Sequence, residues 1–448
     1  MTTPDLYRAR LDAMIDLRHP LAVLAKRLPW DQIEIALAPT FERRNRAGRV
    51  IQGDDLFGIT AQLVGAGVSL AGGPRLPIRL MASLLYLKHA FNLSDSDLVQ
   101  RWSQDVVWQY FSGNDFYEPR LPCDPAQIGR FRKAIGEAGV EVLLKATIDT
   151  AVHTGALQPT EFERIIVDST VQEKAIAFPT DSRLLEVARH KLVKAAKAVG
   201  IELKQTFVKE GKILRRKSGG YAHAKQYRRL KRTVRRQRTI VAKLIREIER
   251  KMTLVVACTA QALQGLRTVL QRAVRLVSQS PKDKAKLYAL HAPEVQCISK
   301  GKARQPYEFG VKSGIAVTHQ SCLVIGARTF PGNPYDGHTL QEQIEHVNIL
   351  CQDHGVTVKE AVEPVIGHLK ADHRMARCWL KGAIGDAINT VLAAAGFNLR
   401  WLMRAVVRLL FLLPTFLALG GTIWAALRSE LASDLHQRRR THGLRAGV

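Results

Sequence analysis

A short run of β-branched residues with a carboxylate in its middle constrains the fold most. The run is RIIVDSTV, residues 164–171, and its composition is typical of a strand buried in a sheet. Burying the carboxylate of Asp168 costs free energy unless a cation or hydrogen bonds compensate for it. Asp168 is therefore a candidate metal ligand. The alternative is an aspartate that caps a turn through Ser169 or Thr170.

The segments after this strand predict a mixed α/β domain with a helical insertion. Residues 183–284 have mostly helical patterns, and YEFGVKSGIAV (307–317) and CLVIGARTF (322–330) then predict a hairpin. A helix is expected in TLQEQIEHVNILCQDHG, which follows the hairpin. Strand, helical excursion, hairpin and helix together favour the α/β class.

The segment before the strand predicts a small all-α domain at residues 74–160. Its apolar residues recur at three- and four-residue spacing, and Ser94 and Asp124 are expected to begin helices. The preceding region, 1–73, ends in the glycine-rich sequence GAGVSLAGG, which predicts a linker.

The charge balance indicates a polyanionic partner. The chain has 67 Lys and Arg residues against 40 Asp and Glu, a formal charge of +27, so DNA, RNA and an anionic membrane are the partners to consider. Between Lys212 and Arg238 there are twelve Lys or Arg residues and no acidic residue, with Tyr221 and Tyr227 among them. This run predicts a helix that follows DNA phosphates, the alternative being a solvated surface. The candidate contacts in it are Arg215, Arg216, Arg228, Arg229, Lys231, Arg232, Arg235 and Arg236.

The C-terminal region, 401–448, combines a hydrophobic helix with a basic tail. Residues 409–427 contain no charge, but Pro414 and the pair Gly420-Gly421 interrupt them, so we expect a packed helix and keep a membrane span as the alternative. The N-terminus has no apolar stretch of the kind found in signal peptides, and the six cysteines form no CxxC pair. A cytoplasmic protein is expected.

A second acidic residue begins the segment EPVIGHLKADHRMAR. Pro364 suits a first helical turn, so Glu363 is expected at a helix N-terminus, where the dipole favours its charge. Lys370, Arg374 and Arg377 follow at helical spacing, which predicts one face with a metal ligand and phosphate-binding cations. The alternative is a capped amphipathic helix with a solvated basic face.

Three segments resemble the transposases of the insertion sequence 5 family, within the DDE superfamily. They are RIIVDSTV, FPGNPYDGHTL and EPVIGHLKADHRMARCWLKGAIGDAINTVLAAAGFNLR, and PIRLMASLLYLKHAFNLSDSDLVQRW with VWQYFSG resembles the helical N-terminal domain of those proteins. The resemblance covers most of residues 40–405. It implies an RNase H-like catalytic core at 161–400, interrupted by the basic insertion, and a DNA-binding role for the all-α domain.

The resemblance also implies the site and its partners. Asp168 would be the first catalytic aspartate and Glu363 the closing glutamate, both ligands of Mg²⁺ or Mn²⁺, and Lys370 would contact DNA. The implied reaction is metal-dependent cleavage and strand transfer at the ends of an insertion sequence. The implied partners are double-stranded DNA, as terminal inverted repeats and target, and further copies of the chain when it is active. No membrane partner is implied.

One departure from the family affects catalysis. The second catalytic aspartate lies in a D-x-G-Y strand motif, but here GVTVKEAV (355–362) runs directly into EPVIGHLK, which indicates an internal deletion. A two-metal site needs carboxylates on both sides, so this loss predicts impaired cleavage. Asp336 and Asp353 are the nearest substitutes, and neither is expected to replace the missing ligand. A catalytically inactive DNA-binding remnant is therefore the alternative to an active transposase.

Overall fold

The computed structural model describes residues 9–41, 76–253, 259–280, 283, 286–299, 306–362 and 372–409. The predicted linker, Glu363, Lys370 and the tail from residue 410 onward lie outside these ranges. Within them the chain combines helices with one six-stranded sheet, which confirms the mixed α/β prediction. No helix in the described ranges is both long and apolar enough to cross a membrane.

The N-terminal part is helical, and its predicted helix starts are confirmed. The Ser94 hydroxyl accepts a hydrogen bond from the Asp97 amide (3.1 Å), and Asp124 forms a capping box with Gln127. The helices are α1 (Leu11–Met14), α2 (Pro20–Arg27), α3 (Trp30–Leu37), α4 (Ile78–Ala90), α5 (Asp95–Gln104), α6 (Val106–Phe111) and α7 (Pro125–His153).

The sheet is built around two long antiparallel strands. Its members are β1 (Arg164–Lys174), β2 (Gln296–Ser299), β3 (Tyr307–Thr318), β4 (Val324–Phe330), β5 (Glu360–Val362) and β6 (Arg377–Cys378). One edge of β3 pairs with β1, and its other edge pairs with β4 and β2, all antiparallel. The edge of β1 that faces away from β3 pairs in parallel with β5 at the start of β1 and with β6 at the end of β1. The predicted strand at 164–171 and the predicted hairpin are thus confirmed.

Two helices complete the part of the molecule around the sheet. Helix α12 (Asp336–Cys351) follows the hairpin as predicted, and a further helix, α13, covers residues 382–409. Residues of α13 share one apolar core with the sheet and with the N-terminal helices. Leu143 of α7, Ile315 of β3 and Leu399 of α13 are all fully buried in this main core. The sheet therefore packs against helices from both the N-terminal and the C-terminal parts of the described chain.

The insertion between β1 and β2 is helical, as predicted, and has its own core. It contains α8 (Asp181–Ala198), α9 (Val208–His223), α10 (Tyr227–Met252) and α11 (Ala260–Ser278). Leu185, Leu244 and Leu266 belong to this second core, which contains no residue of the N-terminal helices or of the sheet. The run of twelve cations was predicted to form a single helix, and this prediction is wrong. The run is divided between α9 and α10 by a turn in which Lys225 has a left-handed backbone (φ 55°).

Candidate functional site

Asp168 lies in the middle of the central strand β1. It is half-buried and is paired across the sheet with Ile315 of β3. Because side chains alternate along a strand, Asp168 shares its face of the sheet with Gln172 and Lys174. The carboxylate therefore stands on the same face as two polar side chains that contact α13.

A buried polar network fixes the end of β1 against α13. The Gln172 amide donates to the Asp386 carbonyl oxygen (2.9 Å) and accepts a hydrogen bond from the Asn389 side chain (2.7 Å). Lys174 Nζ donates to Asp386 Oδ1 at 2.7 Å and lies 3.2 Å from Glu294 Oε1. Burial raises the pKa of Asp386, whereas the hydrogen bond from Lys174 opposes that rise. Satisfied buried polar groups of this kind define the position of β1.

Strand β5 leads to Glu363, and its described part ends at Val362. In β5, Val362 is paired in parallel with Ile166, two residues before Asp168, and Arg164 forms an ion pair with Glu360 (3.2 Å). The next described strand on this edge is β6, which pairs with the last residues of β1. Among the described strands, none pairs with this edge of β1 between residues 167 and 172.

Arg374 and Arg377 do not lie on one helical face, so that prediction is wrong. The chain bends at residues 373–376, where Arg374 has a left-handed backbone (φ 63°), and Arg377 belongs to β6. Arg374 donates to the Asn92 carbonyl oxygen (3.4 Å), and Arg377 donates to that of Ile176 (3.3 Å). The change from helix to strand places the two guanidinium groups against different elements. Their predicted helical partner Lys370 lies outside the described residues.

The two substitute carboxylates are held by lysines. Asp336 Oδ1 lies 2.6 Å from Lys312 Nζ, and Asp353 Oδ2 lies 2.8 Å from Lys145 Nζ. The hydrogen bond from Lys145 keeps the pKa of Asp353 below its ordinary value. In the part of the chain that the structure describes, no three His, Cys, Asp or Glu side chains are grouped so that they could hold a metal ion. Of the two predicted metal ligands, Asp168 is the one that lies among the described residues, and it occupies the predicted strand.

The basic run forms a helical hairpin, α9 followed by α10, which we call the basic hairpin. Arg215 is half-buried, and the other predicted contacts are exposed: Arg216, Arg228, Arg229, Lys231, Arg232, Arg235 and Arg236. Arg236 forms a two-fold hydrogen bond to Glu210 on the other helix (2.6 and 3.1 Å), which lowers the pKa of that carboxyl. The buried residues Ile240 and Leu244 come later in α10. The exposed cations are therefore concentrated near the turn of the hairpin.

A cavity of about 510 Å³ opens beside the basic hairpin. It is bounded by the first turn of α8, the end of α9 and the start of α10, and the aromatic residues Phe178 and Tyr227 contribute to its wall. Tyr227 was noticed in the sequence as part of the basic run, whereas Phe178 precedes α8 and has no local sequence signal, because only the packing of the three helices brings both residues to one cavity.

Comparison with known proteins shows which family the chain resembles. A family model described as "Transposase domain (DUF772)" matches residues 54–134, and the described part of that segment runs from α4 into α7. A protein described as "Uncharacterized protein ORF8 in nfe locus", from Rhizobium meliloti, is 40% identical over 223 residues, which are 50% of this chain and 95% of that protein. No solved structure matches the chain. The chain therefore belongs to the same transposase-related family as the nfe-locus ORF8 protein.

Proposed function

We propose that this protein is a transposase of the insertion sequence 5 kind that binds double-stranded DNA and has lost most or all of its strand-cleaving activity. The strand order is one support. Strands β4, β3 and β1 are antiparallel neighbours and β5 is parallel to β1, which is the arrangement expected of an RNase H-like core. Asp168 on the central strand then corresponds to the first catalytic aspartate.

The proposed metal ligands are Asp168 and Glu363. A half-buried carboxylate in a strand suits a hard cation such as Mg²⁺ or Mn²⁺, and the residue before Glu363 is paired two positions from Asp168. The chemistry that such ions supply is activation of water or a DNA 3′-hydroxyl and stabilisation of the leaving oxygen. This chain's contribution is to fix Asp168, through the pairing of β1 with β3 and the polar network with α13.

The proposed loss of cleavage follows from the sequence at β5, where GVTVKEAV runs directly into EPVIGHLK without a second aspartate. That aspartate, on a strand beside β1, would provide the ligand that a two-metal site needs. Asp336 and Asp353 are each engaged by a lysine. The site thus has too few carboxylates for two cations.

The single observation that carries the proposal of DNA binding is the concentration of exposed cations on the basic hairpin. Neutralising DNA phosphates releases counterions, so such a surface favours DNA of any sequence. Lys370, Arg374 and Arg377 are proposed as further contacts, and terminal inverted repeats and target DNA as the substrates. An active form would act as a homo-oligomer, because two ends must be joined.

A nicking assay on supercoiled plasmid tests the catalytic part. With Mg²⁺ or Mn²⁺ we expect the natural chain to bind the plasmid without nicking it. Inserting the missing strand and its aspartate after Val362, from a full-length relative, should restore nicking, and Asp168→Asn in that variant should abolish it. Robust cleavage by the natural chain, lost on Asp336→Ala or Asp353→Ala, would show that a substitute ligand exists.

Charge reversal on the basic hairpin tests the binding part. Changing Arg228, Arg229, Arg235 and Arg236 to Glu should weaken duplex binding and flatten its dependence on salt, since fewer counterions are released. The matched control reverses four exposed lysines on other helices: Lys26, Lys133, Lys194 and Lys197. Equal effects of the two quadruple variants would mean that only net charge matters and that the hairpin is a solvated surface.

A further inference from the structure

We infer that the cavity beside the basic hairpin receives a single unpaired nucleotide of the bound DNA, with its base inside the cavity and its phosphate on the cationic rim. This inference rests on the proposed DNA binding and adds a specific subsite to it. The volume of the cavity, about 510 Å³, lies in the range of roughly 300–1,000 Å³ that is usual for ligand pockets.

Two aromatic side chains give the cavity a surface on which a base can stack. Phe178 is 65% exposed and Tyr227 is 66% exposed, although both belong to the cavity wall. The ring of Phe178 packs edge to face against Phe309 of β3, with ring centres 5.4 Å apart. This contact fixes the orientation of the ring and leaves most of it accessible. Exposed, oriented aromatic rings are the usual platforms for unpaired bases.

The rest of the wall has the polarity that a nucleotide needs. Leu230 and Val234 line the cavity as apolar side chains, and Arg183, Arg215 and Lys231 add three cations. Within the described ranges none of these three forms an ion pair with a carboxylate. The lining also includes one carboxylate, Asp181, which would disfavour a phosphate at its own side of the opening.

Two serines that line the cavity have buried hydroxyls without a hydrogen-bond partner among the described residues. They are Ser182, which is 5% exposed, and Ser218, which is 2% exposed. Buried hydroxyls normally have a partner, so two at one site favour a polar ligand. A nucleobase combines apolar faces with a hydrogen-bonding edge, which fits both parts of this wall.

The cavity is separate from Asp168. Phe309, which holds Phe178, precedes Gly310, and Gly310 is paired with Glu173 of β1. Glu173 is five residues beyond Asp168, a separation of roughly 17 Å at about 3.3 Å per residue. That distance corresponds to about five nucleotide steps of roughly 3.4 Å. The captured nucleotide is therefore not the one beside Asp168, and its role would be to fix the register of the DNA on the sheet.

The test compares a fully paired duplex with the same duplex carrying one unpaired fluorescent purine. We expect the full-length chain to bind the second duplex about ten-fold more tightly, and the purine fluorescence to fall on binding, because stacking on an aromatic side chain contributes about that factor per base. Phe178→Ala and the milder Phe178→Leu should each remove the preference without weakening binding to the paired duplex, and Tyr227→Ala should also remove the preference.

The control and the opposing outcomes separate this inference from the proposed function. Tyr335→Ala removes a similarly exposed tyrosine outside the cavity (74% exposed) and should keep the preference. Binding to both duplexes with equal affinity by the natural chain would overturn the nucleotide subsite and leave DNA binding intact. Absence of binding to either duplex would instead overturn the proposed function. Tight capture of a free mononucleotide without any preference for the unpaired base would identify a small-molecule site and also overturn the inference.

Discussion

Two buried cations in the segment that matches the transposase domain share one carboxylate. Lys88 and Arg132 are 6% and 8% exposed, and both face Asp95, to which the Lys88 ammonium donates a hydrogen bond and from which Arg132 lies 3.8 Å. Burial and the nearby charge of Arg132 lower the pKa of Lys88 to about 8, and Arg374 adds to the effect. Asp95 only partly offsets the desolvation of the two cations.

This arrangement predicts a pH-dependent stability. The folded pKa of Lys88 lies below the unfolded value of about 10.4, so between these values the unfolded chain binds more protons and stability rises with pH. Below pH 8 the penalty is complete. Lys88→Met should remove this dependence, so that the free energy of unfolding of the natural chain, relative to the variant, increases by roughly 2–3 kcal/mol from pH 7 to pH 10. Urea unfolding at both pH values measures it, and parallel pH profiles would contradict the prediction.

Single residues were predictable where local chemistry decides their role. Ser94 and Asp124 cap helices because their side chains reach amides two or three residues later. Asp168 was identified because an acidic residue is unusual in a buried strand. Arg374 was misplaced, since helical spacing was extended past residues 373–376, where the chain bends. The burial of Lys88 and Arg132 depends on how α4 and α7 pack, which no local pattern reveals.

At the level of elements, the basic hairpin shows that packing decides which cations of a charged segment form ion pairs. The twelve cations between Lys212 and Arg238 were expected to lie on a single helix that follows DNA phosphates. The turn at Lys225 instead folds α10 back along α9, and Glu210 binds Arg236 across the pair. Cations that looked equivalent in sequence therefore differ in whether a carboxylate already neutralises them.

We expect Arg232 and Arg236 to differ in their contribution to DNA binding. Arg232 is exposed and forms no ion pair in the described ranges, so Arg232→Gln should reduce the slope of log affinity against log salt by about one. Arg236→Gln should reduce it less, because Glu210 already neutralises part of that charge. Equilibrium binding over a series of salt concentrations measures both slopes. A larger loss at Arg236 would show that the ion pair with Glu210 opens when DNA binds.

At the level of the whole molecule, the two largest cores of the described residues predict two units of unfolding. Leu244 in the insertion core and Leu143 in the main core are both 0% exposed. Leu244→Ala should cost about 2–5 kcal/mol and lower amide protection in α8, α10 and α11, while β1 and β3 keep theirs. Leu143→Ala is the matched control and should lower protection in the sheet and the N-terminal helices. Hydrogen exchange followed by mass spectrometry distinguishes these patterns, and a uniform loss of protection in both variants would indicate one cooperative unit.

The order of elements was predictable from the sequence, but the way they share a core was not. Alternating and helical patterns predicted the strand, the insertion, the hairpin and α12. The patterns carried no sign that α13, at 382–409, would pack against both the sheet and α7. That contact joins residues far apart in the chain: Asn398 donates hydrogen bonds to Thr147 of α7 (2.9 Å) and to the carbonyl oxygen of Val324 of β4 (2.7 Å).

The ion pair between Lys174 and Glu294 has a consequence for how this architecture can evolve. Lys174 is the last residue of β1 and Glu294 precedes β2, so an ion pair of 3.2 Å between side chains joins the point where the chain leaves the sheet to the point where it returns. Foreign segments are tolerated best where both junctions meet and the segment packs on itself. We therefore expect that the entire helical insertion can be exchanged for another without shifting the register of β1 and β3.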